Sequence, residues 1–175
     1  MQENIERISR PLELAASFMS AMSRVASSVA LVTTIDENGQ PHGLAATTFL
    51  SVSMNPASAL ICVNRSASAS PVIKDSGVFC VVPLQSIHEE ISARFIRPDN
   101  RDKRFVHSRW RTGPAGLPFI DDASAVFCSV AREVEHGTHT VIIGNVHSVI
   151  VPEVQDSLVY MGGRYVRLDA GDVEN

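Results

Sequence analysis

Residues 43–68 bring together side chains that could bind a flat, phosphate-bearing ligand. Four hydroxyl residues occupy the first half of this stretch: Thr47, Thr48, Ser51 and Ser53. Each hydroxyl can donate and accept a hydrogen bond, and the small Ala45 and Ala46 would let a planar ring approach the main chain. Residues 43–53, called the ring segment below, therefore predict a surface for a flat ring.

The second half of the stretch has a compact set of donors, made up of Asn64, Arg65, Ser66 and Ser68. Such a set suits a phosphate, and Arg65 could add charge-assisted hydrogen bonds. Residues 64–68 are called the phosphate segment below. Serine and threonine are also common on exposed strand faces and in turns, so an ordinary surface strand and turn is the alternative interpretation.

Familiar sequence motifs for phosphate binding and hydrolysis are missing from the chain. It contains neither GxGxxG nor GxxxxGK[ST], so a nucleotide would have to bind without a Rossmann or P-loop cradle. A GxSxG motif is also missing, and His88-Glu89 is not followed by the second histidine of HExxH. These absences argue against a serine hydrolase and a zinc protease.

Three histidines late in the chain, His136, His139 and His147, raise the question of a metal site. If the chain is extended from Thr138 onwards, His139 and His147 share a face but lie about 26 Å apart at the rise of a strand. We therefore predict no metal. For His139 alone, a structural, an exposed and a catalytic role all stay open.

Length, charge and cysteine content limit the class of protein. A chain of 175 residues fits one domain, and a net charge of −4 gives no basic surplus for nucleic acid. Cys62, Cys80 and Cys128 are an odd number without a CxxC pair, which predicts core thiols rather than disulfides or a zinc site. No apolar run approaches the roughly 20 residues of a membrane span, and we expect a cytoplasmic protein.

The first half of the chain predicts a helix, a hairpin and further alternating elements. Apolar residues recur at helical spacing over residues 11–25, and β-rich runs at 29–35 and 40–44 flank the turn Asp36-Glu37-Asn38-Gly39. The next elements are a strand at 59–63, a helix at 68–76 ended by Gly77, a strand at 78–82 and a helix at 85–97 ended by Pro98. We divide the chain into an arm at 1–10, a domain at 11–170 and a tail at 171–175.

The second half predicts mainly strands. Glycine and proline indicate a loop at residues 110–118, residues 124–134 and 140–151 form a long hairpin, and 165–168 form a last strand. About six strands without regular βαβ alternation indicate a mainly β fold, an antiparallel barrel with peripheral helices.

A basic cluster precedes that loop and consists of Arg97, Arg101, Lys103 and Arg104. These side chains could contact the phosphates of a dinucleotide. Because Asp99 and Asp102 are interleaved with them, a solvated loop of mixed charge is the favoured alternative.

Taken together, the motifs resemble the short flavin reductases of the FMN-binding split-barrel fold, the reductase components of two-component flavin-dependent monooxygenases. The resemblance covers nearly the whole chain. It rests on VALVTT at residues 29–34, GLAATTFLSVS at 43–53 with Asn55-Pro56, CVN at 62–64 with Ser66 and Ser68, SGVF at 76–79, Arg104-Phe105, HGTH at 136–139, IGNV at 143–146 and LVYMGGRY at 158–165.

The resemblance implies an antiparallel split β-barrel of Greek-key type that binds FMN or FAD and takes electrons from NADH or NADPH. The cofactor-binding residues it implies are Ala46, Thr47, Thr48, Phe49, Ser51, Val52, Ser53, Asn64, Arg65, Ser66, Ser68, Arg104 and Phe105. His139 would be the catalytic residue, and His139 and Tyr165 would contact the nicotinamide substrate. Thr138 stands where the family usually has aspartate, so the role of that carboxylate is in question here.

The expected function is therefore hydride transfer from NAD(P)H to FMN or FAD, with the reduced flavin passed to a separate oxygenase. The resemblance also implies a homodimer, with neither a nucleic-acid nor a membrane partner. Two alternatives share the fold: an oxidase resembling pyridoxamine-phosphate oxidase, and a non-catalytic flavin-binding electron carrier.

Overall fold

A computed structural model describes residues 11–96, 98–153 and 156–168 of the chain. The predicted arm at 1–10 and tail at 171–175 lie outside the described residues, and so does Arg97. The described residues form three α-helices: α1 (Pro11–Met22), α2 (Ala69–Ser76) and α3 (Glu89–Ile96). None of the helices in the described part of the chain is long and apolar enough to cross a membrane.

Twelve strands and three 3₁₀ segments make up most of the remaining described chain. The strands are β1 (Ser27–Ser28), β2 (Ala30–Ile35), β3 (Pro41–Ala46), β4 (Phe49–Met54), β5 (Ala57–Asn64), β6 (Val78–Pro83), β7 (Trp110–Thr112), β8 (Pro118–Ile120), β9 (Ala125–His136), β10 (His139–Ile150), β11 (Ser157–Met161) and β12 (Arg164–Leu168). The 3₁₀ segments are Ser86–His88, Pro98–Lys103 and Pro114–Gly116.

Seven strands form the main antiparallel sheet, in the order β3-β2-β6-β9-β10-β5-β4. Its two edge strands are consecutive in the chain, and only Thr47 and Thr48 separate the end of β3 from the start of β4. Because a two-residue connection spans at most about 11 Å, the two edges must approach each other at this end. No ladder joins β3 to β4 within the described residues, so the curved sheet has a gap at Thr47 and Thr48. The predicted mainly β, split-barrel architecture is confirmed.

Both faces of the central strands are buried, which explains the nearly continuous apolar runs of β2 and β6. Alternate residues enter different clusters: Leu31 and Val82 belong to one, and Val32 and Val81 to the other. The second cluster also takes residues from β5, β9 and β10 and fills the concave side of the sheet, with Ile73 of α2 packed into it.

Peripheral elements cover the first cluster. The hairpin of β7 and β8, the helix α3 and the strands β11 and β12 all contribute side chains to it, among them Phe119, Phe95 and Leu158. In contrast, α1 buries none of its described side chains, and Phe18 and Met19 are 64% and 70% exposed.

The predicted hairpins and the helices at 68–76 and 85–97 are confirmed, with the second helix starting as a 3₁₀ turn. The prediction of the strands was incomplete. The glycine and proline residues of 110–118 interrupt a short β7–β8 hairpin instead of forming a loop throughout. The strands β1, β4 and β11 were not predicted either, and the expected six or so strands are twelve in the described chain.

Candidate functional site

The gap between β3 and β4 opens into a cleft of about 420 Å³. One wall is the end of the first edge strand and the turn after it, residues 44–48. The other lining residues come from β5 and the turn after it, from the end of α3, and from the start of β10: Cys62, Asn64, Ala67, Phe95, Ile96 and His139. The volume falls within the usual range of ligand sites, about 300–1,000 Å³.

The first wall matches the start of the predicted ring segment. Ala45, Ala46, Thr47 and Thr48 all line the cleft. Because β3 is an edge strand, main-chain groups on its unpaired side are available to a ligand. Gly43 lies just before this wall, and a β-carbon there would stand 3.0 Å from both Phe95 Cε1 and Val32 O, so the glycine permits close packing of α3 on β3.

Arg104 fixes the opposite wall instead of entering the cleft. Its guanidinium donates to the carbonyl oxygens of Gly43, Arg94 and Phe95 at 3.2, 3.4 and 3.3 Å. These bonds tie the end of α3 to β3. Burial, followed by the charge of Arg101, lowers the pKa of Arg104.

Phe105 also lies behind the cleft wall. It packs edge-on against Phe95, with the ring centroids 5.4 Å apart, and belongs to the first hydrophobic cluster. The structure thus places Arg104 and Phe105 where they support Phe95 and Ile96, which line the cleft and were not predicted. The sequence signal for Ile96 was weak, because it looked like any residue at a helix end.

His139 is exposed at the first position of β10 and faces the cleft. It pairs with Asn64 at the end of β5, so these two predicted site residues come together. The hydroxyl oxygen of Thr138 lies 2.9 Å from His139 Nδ1, within hydrogen-bonding distance. A hydroxyl therefore occupies the position next to the histidine where the family usually has a carboxylate.

The phosphate segment contributes to the cleft only in part. Asn64 lines it, but Arg65, Ser66 and Ser68 do not. The amide and hydroxyl groups of Ser66 both donate to Asn64 Oδ1 at 2.9 Å, which closes a local turn. The guanidinium of Arg65 binds Glu135 and the carbonyl of Gly137.

The last residues of the ring segment do not line the cleft. Ser51, Val52 and Ser53 lie on β4 outside the cleft lining, and Phe49 packs against the second hydrophobic cluster. Ser53 Oγ accepts a hydrogen bond from the main-chain N–H of Asn55. The cis Asn55-Pro56 peptide bond follows directly and connects β4 to β5. The predicted flavin contacts of these residues remain predictions.

A side cleft of about 160 Å³ adjoins the first and shares Ala45, Ala46, Thr47 and Ile96 with it. Its further wall includes Tyr165, as predicted from the resemblance, and Tyr160, which was not predicted. The two rings lie edge to face, with centroids 5.7 Å apart. Tyr165 Oη lies 2.9 Å from the buried Ser92 Oγ, so the phenol is anchored at its polar end.

The three cysteines differ in environment. Cys80 and Cys128 are buried core thiols as predicted, whereas Cys62 is half-buried and lines the cleft. Burial raises the pKa of Cys128 to about 11 and, together with the charge of Cys128, raises the pKa of Cys80 further. Among the described residues, no group of three or more histidine, cysteine or acidic side chains is arranged to hold a metal ion.

The donor set of the cleft suits a flavin ring. Its lining combines small and apolar side chains with the hydroxyls of Thr47 and Thr48, the amide of Asn64 and the imidazole of His139. A flavin carries carbonyl and ring-nitrogen groups along one edge, which match such neutral donors and acceptors.

Comparison with known proteins agrees with this interpretation. The family model described as flavin reductase like domain matches residues 22–169. The chain is 33% identical over 164 residues to FMN reductase (NADH) RutF of Stutzerimonas stutzeri, covering 93% of both chains. It is also 39% identical over 149 residues to the actinorhodin polyketide dimerase of Streptomyces coelicolor, covering 85% of this chain and 83% of the relative.

Solved structures give the same result. BorF, the flavin reductase component of a bacterial two-component tryptophan halogenase, superposes with a TM-score of 0.82 at 26% identity, covering 89% of this chain and 98% of that one. The NADH:FAD oxidoreductase SgcE6 of Streptomyces globisporus, in complex with NAD and FAD fragments, has a TM-score of 0.80 at 25% identity, covering 94% and 98%.

Proposed function

This chain belongs to the flavin reductase like domain family, and on that premise we propose that it is an NADH-dependent flavin reductase. The observation that carries the proposal is the cleft at the gap between β3 and β4, where the main chain of residues 44–48 faces His139. A flavin bound here would supply the hydride-accepting ring, and the protein would position that ring against the nicotinamide.

The residues of the cleft have distinct roles in this proposal. The unpaired edge of β3 and the hydroxyls of Thr47 and Thr48 bind the polar edge of the flavin and stabilise negative charge that develops there. Phe95 and Ile96 exclude water from one side. His139 orients the nicotinamide, since hydride transfer needs the donor and acceptor atoms about 3–3.5 Å apart.

We further propose that the flavin exchanges and is delivered in reduced form to a separate oxygenase component. Thr47, Asn64 and His139 are exposed, so the cleft is open to solvent and a bound flavin can leave. BorF, a structural neighbour, is the flavin reductase component of a two-component tryptophan halogenase, in which the reductase is likewise a separate component.

The test is NADH oxidation by the purified protein with and without added FMN or FAD. We expect saturable turnover that depends on free flavin, and the flavin with the higher kcat/KM would be the substrate. A single stoichiometric reduction would instead indicate the electron carrier. Flavin-dependent oxygen consumption with pyridoxamine phosphate, without use of NADH, would indicate the oxidase.

We also propose a homodimer, supported by an apolar outer face on four strands. Register pairs place Leu50 beside Leu60 and Leu60 beside Ile143. Two residues further along β5, on the same face, Cys62 pairs with Val141, and Val141 pairs with Val134. Cross-strand partners point to the same side of a sheet, so these residues form one surface.

This surface is only partly covered in the described chain. Leu50 is 61% exposed and Val134 50% exposed, and none of the paired residues belongs to either hydrophobic cluster. A contiguous apolar surface of this kind is typical of an interface. Since Cys62 lies on both this face and the cleft, a second copy seated here would close one side of the cleft.

Light scattering at micromolar concentration tests the homodimer. We expect the mass of two chains for the wild type and of one chain for Leu50→Glu. Ile87→Glu is the control, because Ile87 is 59% exposed but lies away from this face, and it should remain dimeric. A wild-type mass of one chain would contradict the proposal.

A cytoplasmic location completes the proposal. The three cysteines are free thiols, which fits a reducing compartment.

A further inference from the structure

Within the described part of the chain, Arg65 donates three hydrogen bonds to the end of the β9–β10 hairpin that carries His139. Its amide donates to Thr138 O at 3.0 Å. In its guanidinium, Nη1 donates to Glu135 Oε2 at 3.0 Å and Nη2 to Gly137 O at 2.5 Å. We call these three contacts the Arg65 bridge.

The Arg65 bridge holds the turn from two directions. The residue directly follows Asn64, the last residue of β5, so its backbone is fixed by the main sheet. Its amide and guanidinium bind the carbonyl oxygens of two successive turn residues, Gly137 and Thr138. The peptide between these residues is therefore held in one orientation relative to β5.

That orientation matters because Thr138 is the hydrogen-bonding partner of His139. The Thr138 hydroxyl lies 2.9 Å from Nδ1 of the imidazole, and both residues are exposed at the end of a long hairpin. Neither side chain is buried by packing, so the direction of the ring depends on hydrogen bonds. The chain of contacts runs from Glu135 through Arg65 and Thr138 to the imidazole.

The same contacts leave Arg65 poorly suited to a phosphate. Both terminal nitrogens of its guanidinium already have acceptors, and the carboxylate of Glu135 offsets its charge. Arg65 also lies outside the cleft lining, although the neighbouring Asn64 is part of it. An anion would have to displace Glu135 before it could bind here.

We propose that Arg65 and Glu135 are positioning residues for His139 and that Arg65 does not bind the flavin phosphate. The inference rests on the proposed flavin reductase function, because it assigns what His139 does in turnover. It predicts that Arg65 and Glu135 act as one unit and that their effect is the same whether or not the flavin has a phosphate.

The experiment compares kcat and KM of four variants with FMN and with riboflavin, which lacks the phosphate. The variants are Arg65→Met, Arg65→Lys, Glu135→Gln and the double variant Arg65→Met/Glu135→Gln. Lys74→Met is the control, since Lys74 is exposed on α2 and its loss removes the same charge away from the hairpin. Thermal unfolding checks that each variant is folded.

We expect every bridge variant to lower kcat by about two- to fivefold with both flavins, because exposed ion pairs contribute modestly. The double variant should be no slower than the slowest single variant. Lysine keeps the charge but has no planar fork with which to reach both acceptors, so Arg65→Lys should resemble Arg65→Met. Lys74→Met should match the wild type.

Three results would overturn the inference. One is a loss confined to FMN, with riboflavin unaffected and Glu135→Gln unchanged, which would make Arg65 a phosphate contact. Another is the absence of any kinetic effect in all four variants. The third is unchanged amide hydrogen exchange at residues 135–141 in Arg65→Met, where we expect faster exchange. In contrast, a wild-type protein that turns over neither flavin would overturn the proposed function itself.

Discussion

Thr138 Oγ1 lies 2.9 Å from Nδ1 of His139, at the end of the hairpin that forms one side of the cleft. The family resemblance places an aspartate at position 138, and the structure shows that threonine still provides a partner for the imidazole. A carboxylate can only accept a hydrogen bond, whereas a hydroxyl can either donate or accept. The ring is therefore oriented without a negative charge beside it.

Replacement of that hydroxyl tests its part in orienting the ring. Thr138→Val keeps the shape of the side chain but removes the hydrogen bond, and we expect kcat with NADH to fall about fivefold, as the loss of about 1 kcal/mol would give. Thr138→Asp should retain at least wild-type kcat, because the carboxylate accepts from Nδ1–H. Steady-state NADH oxidation measures both, and a Thr138→Val enzyme as fast as the wild type would contradict the role.

Removal of the imidazole should have a larger and more specific effect. For His139→Ala we expect a fall in kcat of about 10- to 100-fold, within the range of a lost catalytic group, because the nicotinamide is no longer held against the flavin. Flavin affinity, measured by quenching of flavin fluorescence, should change less than about threefold, since ten other residues line the cleft. If kcat and flavin affinity fell by the same factor, His139 would not have the role assigned to it.

The cysteines provide a test of flavin position that does not depend on turnover. In the native dimer we expect one thiol, Cys62, to react with a disulfide reagent that enters through the open cleft, because Cys80 and Cys128 are buried with raised pKa values. Saturating FMN should slow this reaction. Cys62→Ala should abolish the fast phase, and unfolded wild type should release three equivalents. A flavin that binds without protecting Cys62 would place the ring elsewhere.

A buried histidine predicts how stability depends on pH. His88 is fully buried. Its Nδ1 accepts a hydrogen bond from the main-chain N–H of Gln85, and its Nε2 lies 3.0 Å from Asp122 Oδ1. Burial, followed by the charge of Arg109, lowers the pKa of His88 from 6.5 to about 4. The unfolded chain therefore binds more protons between these two pH values, so the free energy of unfolding should decrease as the pH falls from 6.5 to 4.

From this pKa difference, the loss of stability should reach about 3 kcal/mol and should not grow further below pH 4 on account of His88. Urea unfolding at a series of pH values measures it. His88→Gln is the matched control, because glutamine does not titrate. Above pH 5, the free energy of unfolding should change less with pH in that variant than in the wild type, although the variant is less stable at every pH. An equal slope in both proteins would show that other groups control this range.

A glycine in β10 should tolerate no side chain. A β-carbon at Gly144 would lie 2.5 Å from Phe79 Cζ and 2.9 Å from Cys128 Cβ, both in the second hydrophobic cluster. We expect Gly144→Ala to lower the free energy of unfolding by about 1–3 kcal/mol, the usual cost of overpacking a core. Addition of Phe79→Leu should recover part of that loss. Chemical denaturation measures both, and no recovery would place the strain elsewhere.

Periodicity predicted most of the fold because most elements bury a regular pattern of side chains. The long β9–β10 hairpin, the hairpin of β2 and β3, and the helix ended by Gly77 were all recovered in this way. The β7–β8 hairpin was missed since Gly113, Pro114, Gly116 and Pro118 lie in or next to it, and these residue types usually mark loops. The two-residue β1 pairs only with the distant β11 and leaves no local pattern.

The site was predicted less completely than the fold. Residue type and family resemblance identified Thr47, Thr48, Asn64 and His139, which all line the cleft. The same hydroxyl pattern also included Ser51 and Ser53, but strand alternation and the bulge of β4 place them outside it. Cys62 and Ile96 were not identified because nothing in a thiol or an aliphatic side chain signals a ligand.

Local patterns and residue types were sufficient to identify the fold class, the family and the segments that meet at the cleft. Which donors remain available to a ligand depends instead on contacts between residues that are far apart in the chain. Arg65 and Arg104 have the same guanidinium, and sequence assigned both to the flavin. Contacts with Glu135 and Gly137, and with the Gly43 carbonyl, engage them within the fold, because a hydrogen-bond donor binds whichever acceptor the folded chain brings within reach.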